Sequence, residues 1–144
     1  MKKGRNNRFL SPDQDAGLPK TEILRGRRKF QQLFEQDAVT LHARKVQLRF
    51  KIYTDAEKEC LMGFIVKKKL GAAVKRNRIR RRLKEAYRLN RHGFPELVQS
   101  LNISFHGVLM AKTIDLDFNQ AQQNVIELLD KARRHLLSTI DSDI

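Results

Sequence analysis

A chain of 144 residues with 30 Lys and Arg against 16 Asp and Glu carries a formal net charge of +14, and that length supports one domain with a modest two-layer core. A single cysteine, Cys60, excludes an internal disulfide and a cysteine metal cluster, and the apolar runs 60–66 and 108–111 are too short to cross a bilayer. No apolar segment before Leu18 could serve as a signal peptide, so a cytoplasmic protein without a membrane partner is expected.

Residues 1–17 are polar and aperiodic and read as a disordered basic arm, followed by one domain over 18–138 and a short acidic tail over 139–144. Gly26 can cap a short helix over 27–36, in which Phe30, Leu33 and Phe34 share a face. Residues 37–44 read as a connecting loop. Val46, Leu48, Phe50 and Ile52 then alternate with Gln47, Arg49, Lys51 and Tyr53, the pattern of a half-buried strand. A polar turn over 54–59 leads to a second apolar strand, 60–66, which suggests an antiparallel pair. The next segment predicts a helix over 75–90, stopped by His92-Gly93-Phe94-Pro95, where glycine supplies a left-handed cap and proline cannot continue the helix. A further strand spans 103–111. Asp117 with Gln120 three residues on resembles a capping box. It opens a helix to Ser138 with Phe118, Ala121, Val125, Leu128, Leu129, Ala132 and Leu136 as its apolar stripe. Helix, two or three strands, helix, strand, helix is the order of a mixed α+β or α/β sandwich.

Little in this order promotes protein catalysis. His42, His92, His106 and His135 fall on separate elements, and no HExxH, CxxC, GxSxG or P-loop pattern occurs. Neither catalytic residues, nor a metal site, nor a small-molecule substrate is expected. The charge pattern is more informative. Residues 67–91 hold twelve Lys or Arg and one acid, Glu85, whereas residues 113–144 hold three basic residues against six acids. Such segregation gives an electrostatic footprint on one side and favours a nucleic-acid partner. On the predicted helix Ile79, Leu83, Ala86 and Tyr87 form a narrow apolar face, and nearly all the rest is cationic. Like charges stacked at i,i+4 weaken an isolated helix, so a polyphosphate is the natural source of compensating charge. Arg predominates over Lys, which suits bidentate phosphate contacts. Phe30 and Phe34 admit two readings. They are core residues, or they form an aromatic wall beside a strand face bearing Arg49, Lys51 and Tyr53, the arrangement that holds single strands without sequence preference.

The residues Leu24-Arg25-Gly26, Phe30-Gln31-Gln32-Leu33-Phe34 and the run from Gly63 through Lys67-Lys68-Lys69-Leu70-Gly71 to Arg76-Asn77-Arg78-Ile79-Arg80-Arg81 resemble the bacterial ribonuclease P protein component. The likeness extends over about residues 18–137. It implies an α+β sandwich of order α-β-β-β-α-β-α, like the second domain of ribosomal protein S5, with a left-handed βαβ crossover against the usual hand. It also implies a protein subunit bound to a catalytic RNA that removes the 5′ leader of precursor tRNA, with hydrolysis by the RNA and its Mg²⁺ and no cofactor on the protein. By that resemblance Arg76, Asn77, Arg78, Arg80, Arg81 and Lys84 face the catalytic RNA. Phe30, Phe34, Arg49, Lys67, Lys68 and Lys69 line the leader cleft. Arg49 stands where an aromatic is usual in the family, and Ile65 and Lys67 where small hydroxyl residues are common. A ribosomal-type structural RNA binder would share the basic helix without preferring precursor tRNA. A DNA-reading helix would want a helix-turn-helix neighbour or a zipper repeat, and the sequence offers neither.

Overall fold

Two periodicities sort the chain into sheet and helix. The computed structural model describes residues 17–54 and 57–142. Apart from Gly17 the expected arm lies outside the described residues, as does the end of the expected acidic tail. A 3-10 turn at Lys20–Glu22 leads to helix Arg27–Gln32 (α1) and strands Val39–His42 (β1), Val46–Tyr53 (β2) and Cys60–Ile65 (β3). A second 3-10 turn at Lys68–Leu70 precedes helix Ala73–Asn90 (α2), short helix Phe94–Ser100 (α3), strand Ser104–Ala111 (β4) and helix Phe118–Ser142 (α4).

The sheet order is β1-β2-β4-β3, with β1–β2 and β2–β4 antiparallel and β3–β4 parallel. The expected antiparallel pairing of the 46–53 and 60–66 strands is therefore incorrect, because β4 lies between them. All eight residues of β4 are buried, and a strand covered on both faces belongs at the centre of a sheet. The expected 37–44 loop is also corrected, since it contains β1 in register with β2 from Val39 opposite Phe50 to His42 opposite Gln47. Gly93 does take a left-handed conformation (φ 85°) after α2, but the same residue opens α3. The Glu96 carboxylate accepts the Gly93 N–H at 3.1 Å, and Pro95 sits in the first turn, where a missing N–H costs nothing. Proline here begins a helix as well as ending one.

One face of the sheet carries nearly all the core. Val46, Leu48, Phe50, Cys60, Met62, Phe105 and Leu109 meet Ile79, Leu83, Ala86 and Tyr87 of α2 and the buried stripe of α4 from Ala121 to Leu136. Every residue of the narrow apolar face expected on the basic helix is buried. The capping box before α4 closes both ways, with Gln120 N–H donating to Asp117 Oδ1 at 2.8 Å and Asp117 N–H to Gln120 Oε1 at 3.1 Å. α4 then runs to Ser142, past the expected Ser138, with no glycine or proline to end it sooner. Burial pushes the Cys60 thiol up to about 12, which keeps it protonated and inert.

The opposite face is covered more thinly. Among the described residues α1 is the helix that lies on it, over a small cluster of Leu24, Leu33, Leu61, Val108 and Met110, with Phe30 and Ile65 half-buried at its margin. α1 is one and a half turns long and ends at Gln32, shorter than the helix expected to 36. The segment before it lies along the edge of β3, with Leu24 N–H donating to Met62 O at 3.1 Å, so that edge is covered. Leu33 is fully buried whereas Phe34 is 47% exposed. Leu33→Ala is therefore expected to cost about 2–5 kcal/mol in urea unfolding. Phe34→Ala should stay within about 1 kcal/mol, and a larger loss would make Phe34 a core residue.

Candidate nucleic-acid interface

α2 has no glycine or proline, and Ala, Leu, Arg and Lys favour the helical state. Its charges oppose that state. Lys75 and Arg76 stand in the first turn, where the helix dipole is already positive. Arg76 turns back, its Nε donating to Gly71 O at 3.0 Å. The only acid of the helix, Glu85, is gripped at both oxygens by Arg88, at 2.9 and 2.6 Å, which lowers the Glu85 pKa and raises that of Arg88. Among the described residues, Lys75, Arg78, Arg80, Arg81, Arg82 and Lys84 have no carboxylate partner.

These cations divide into two rows. Asn77, Arg80, Arg81 and Lys84 line a shallow recess of about 280 Å³ on the outer surface. The Asn77 side-chain oxygen accepts from Arg80, so Asn77 orients a guanidinium. On the other flank Arg78 and Arg82 meet α4 and the segment before it, in a recess of about 260 Å³ with Lys75, Ile79, Ile114 and Asp115. Arg82 donates to Leu116 O at 2.8 Å and is held there. Four of the six helix residues implied by the resemblance, Asn77, Arg78, Arg81 and Lys84, are exposed, and Arg80 is half-buried beside Asn77. Arg76 is half-buried against the turn that precedes the helix. Lys75 and Arg82 were not among the expected site residues, and only the packing of the 112–117 segment against α2 brings them in.

The second group of expected residues gathers on and beside the thinly covered sheet face. The Phe30 ring packs against Gly63, where a Cβ would stand 2.8 Å from two ring carbons. The Arg49 guanidinium is 5.4 Å from the Phe34 ring centroid. It also donates through Nε to Leu33 O, through Nη2 to Glu35 O at 3.0 Å and through Nη1 to Thr40 Oγ1 at 3.1 Å. Lys51 pairs with Glu35 at 2.8 Å and Asp37 at 2.9 Å. The hydrogen bonds to these carboxylates raise the Lys51 pKa, and the bond from Lys51 lowers that of Asp37. Tyr53 donates to Gln32 at 3.4 Å and leans on His106, whose Nε2 is 2.9 Å from Glu59. Gln47 and Met110 pair in register and touch, with Ile65 beside them. Lys67, Lys68 and Lys69 are exposed where β3 leads into α2. The sequence pattern named Arg49 and the two Phe residues but missed the acids Glu35 and Asp37 that engage Lys51, because the turn that presents them has no periodicity.

Fold and surface together define a small, strongly basic α+β protein with a cationic helix on one sheet face and Phe30, Phe34 and Arg49 on the other. The Ribonuclease P family model matches residues 18–133. A ribonuclease P protein component from Geobacter sp. is 35% identical over 122 residues, which cover 83% of this chain and 95% of that one. Another from Pelotomaculum thermopropionicum is 40% identical over 75 residues, which cover 51% of this chain and 61% of that relative's length. The solved ribonuclease P protein of Thermotoga maritima superposes with a TM-score of 0.57 at 23% identity, covering 76% of this chain and 96% of that one. The chain belongs to the ribonuclease P protein family. Among the described residues, no helix is long and apolar enough to cross a membrane.

Arg78, Arg81 and Lys84 are exposed and contribute little to folding. Replacing all three by Ala should leave the thermal midpoint nearly unchanged. It should also flatten the slope of log K against log salt for a structured RNA by about two to three units, measured by filter binding at several salt concentrations.

Proposed function

We propose that this chain is the protein subunit of a cytoplasmic ribonuclease P ribonucleoprotein. It binds a catalytic RNA through α2 and the 5′ leader of precursor tRNA on the sheet face that carries α1, and so promotes endonucleolytic removal of the leader. Mg²⁺ serves the RNA, which carries out the hydrolysis, and the protein supplies binding and orientation. The observation that carries this reading is the row of α2 cations from Lys75 to Lys84 with no carboxylate partner among the described residues, in a chain that belongs to the ribonuclease P protein family.

Each residue class then has a physical task. Arg78, Arg80, Arg81 and Lys84 neutralise phosphates of the folded RNA, and the planar guanidinium forks match phosphate oxygens two at a time. Asn77 holds Arg80 in place for that contact. Phe30 and Phe34 offer ring surface for unpaired bases, each worth about 1–3 kcal/mol when stacked. Lys67, Lys68 and Lys69 lie between the cleft and the helix and carry the backbone of the strand from one surface to the other. Aromatic stacking needs unstacked bases, so the cleft favours single strands over duplex.

The test is reconstitution. A bacterial ribonuclease P RNA should process precursor tRNA at low Mg²⁺ much faster with this chain than without it, and the chain alone should cleave nothing. Binding of precursor should exceed that of mature tRNA. Equal affinity for the two would leave only a structural RNA-binding protein, and cleavage by the protein alone would move the chemistry from the RNA to the chain.

A further inference from the structure

Arg49 is the residue of the cleft whose surroundings fit its expected role least well. It belongs to β2, facing Thr40 of β1 and Val108 of β4, and its side chain rises to the turn that follows α1. The two backbone carbonyls it binds are those of Leu33 and Glu35, which flank Phe34 on either side. A third donor goes to Thr40, and the guanidinium plane lies beside the Phe34 ring. Holding the carbonyls before and after a residue restrains its backbone and the direction of its Cα–Cβ bond, and the guanidinium beside the ring favours one rotamer of Phe34. Carbonyls at a helix end carry partial negative charge and attract a cation. Lys51, two residues further along the same face, is spent on Glu35 and Asp37 of the same turn. Both strand cations are thus turned inward on residues 33–37, and Phe34 is left 47% exposed between them and solvent.

We propose that Arg49 is a positioning residue for Phe34 and not a phosphate ligand. Arg49 sets the height and direction of an aromatic platform on which a base of a single strand stacks. The phosphates of that strand fall to Lys67, Lys68 and Lys69, which among the described residues have no acid partner. The inference rests on the leader-binding reading for its consequence in the holoenzyme, but its structural half can be read on the protein alone.

The chain contains no Trp, so Phe34→Trp installs a sole fluorescent reporter on the full-length protein. Arg49→Lys keeps the charge and most of the stem but cannot reach three acceptors with a rigid fork. In the Phe34→Trp background it should raise acrylamide quenching about twofold and lower the anisotropy; no change in either would overturn the proposal. In the reconstituted holoenzyme with Phe34 intact, Arg49→Lys and Arg49→Gln should each lose about five- to tenfold of the preference for precursor over mature tRNA. The salt slope should stay as in the parent. Lys67→Ala, Lys68→Ala and Lys69→Ala combined should reduce that slope by about two units. Rescue by Arg49→Lys, or a slope reduced by about 0.7 in Arg49→Gln, would make Arg49 a phosphate ligand and overturn the assignment. Should Arg49→Gln fail to fold, the Arg49→Lys protein still decides through quenching and slope. Should the parent holoenzyme show no preference for precursor, the functional reading fails while the quenching result still judges the positioning role.

Discussion

Cations that repel one another along α2 must be held in a row by something other than themselves. Neighbouring like charges three or four residues apart, such as Arg78 with Arg81 and Arg82, or Arg80 with Lys84, each cost a few tenths of a kcal/mol. Summed over the helix, that amounts to about 1–3 kcal/mol. Burial of Ile79, Leu83 and Tyr87, all at 2% exposure or less, returns about 1.5–3 kcal/mol for each side chain. Packing therefore wins by a clear margin, and it wins through four residues on one narrow stripe. The remaining surface is free to hold charge at a density that an isolated peptide could not sustain in helical form. This is why the sheet and α4, which pack beneath the apolar stripe, matter to the charged surface above it.

That requirement also explains the uneven layering. α2 and α4 cover one sheet face together, and β4 is buried along its whole length beneath them and beneath the α1 cluster. The other face has only α1, too short to be stable alone, and its hold on the sheet comes from Leu33 below and from polar contacts at both sides. Lys29 reaches Glu59 at 3.5 Å on one side, and Arg49 takes the carbonyls on the other. A short helix secured this way leaves half the face open and keeps Phe30 and Phe34 at its margin. Gly63 sets the depth of that margin, because any side chain there would lift the Phe30 ring off β3.

Much of this was legible in the sequence, and the parts that were not share a cause. Ile79, Leu83, Ala86 and Tyr87 announced the inner face of α2 because a 3.6-residue period is local information. The same holds for the stripe of α4 and for the reciprocal Asp117–Gln120 cap. Strand pairing is not local. Nothing between Thr54 and Glu59 reveals that β4, more than forty residues later, will separate β2 from β3. β1 was missed because four residues ending in His42 carry too little alternation to be told from a loop. In the 30–34 stripe the pattern singled out three apolar residues, and only the fold shows that Leu33 is the core member while Phe34 faces outward. The resemblance supplied three strands and the order of elements, which periodicity had left at two or three.

On the proposed reading, the two surfaces respond to different conditions. Among the described residues Lys75, Arg78, Arg80, Arg81, Arg82 and Lys84 of α2 have no acid partner, so every phosphate they bind releases counterions and the contact weakens steeply with salt. In the cleft, Lys51 is neutralised by Glu35 and Asp37, and Arg49 is committed to carbonyls and a ring. Stacking on Phe30 and Phe34 depends on ring area and on the exclusion of water, which salt screens little. Assembly with the large RNA is then strongly salt-sensitive, and within leader binding the stacking on Phe30 and Phe34 is the salt-tolerant part while the phosphate contacts of Lys67, Lys68 and Lys69 are not. An unpartnered cation beside Phe34 would blur that division, since it would attract the phosphates of any strand whether or not a base could reach the ring. Drawing both strand cations into the 33–37 turn removes the indiscriminate attraction and leaves base stacking to decide what the cleft retains.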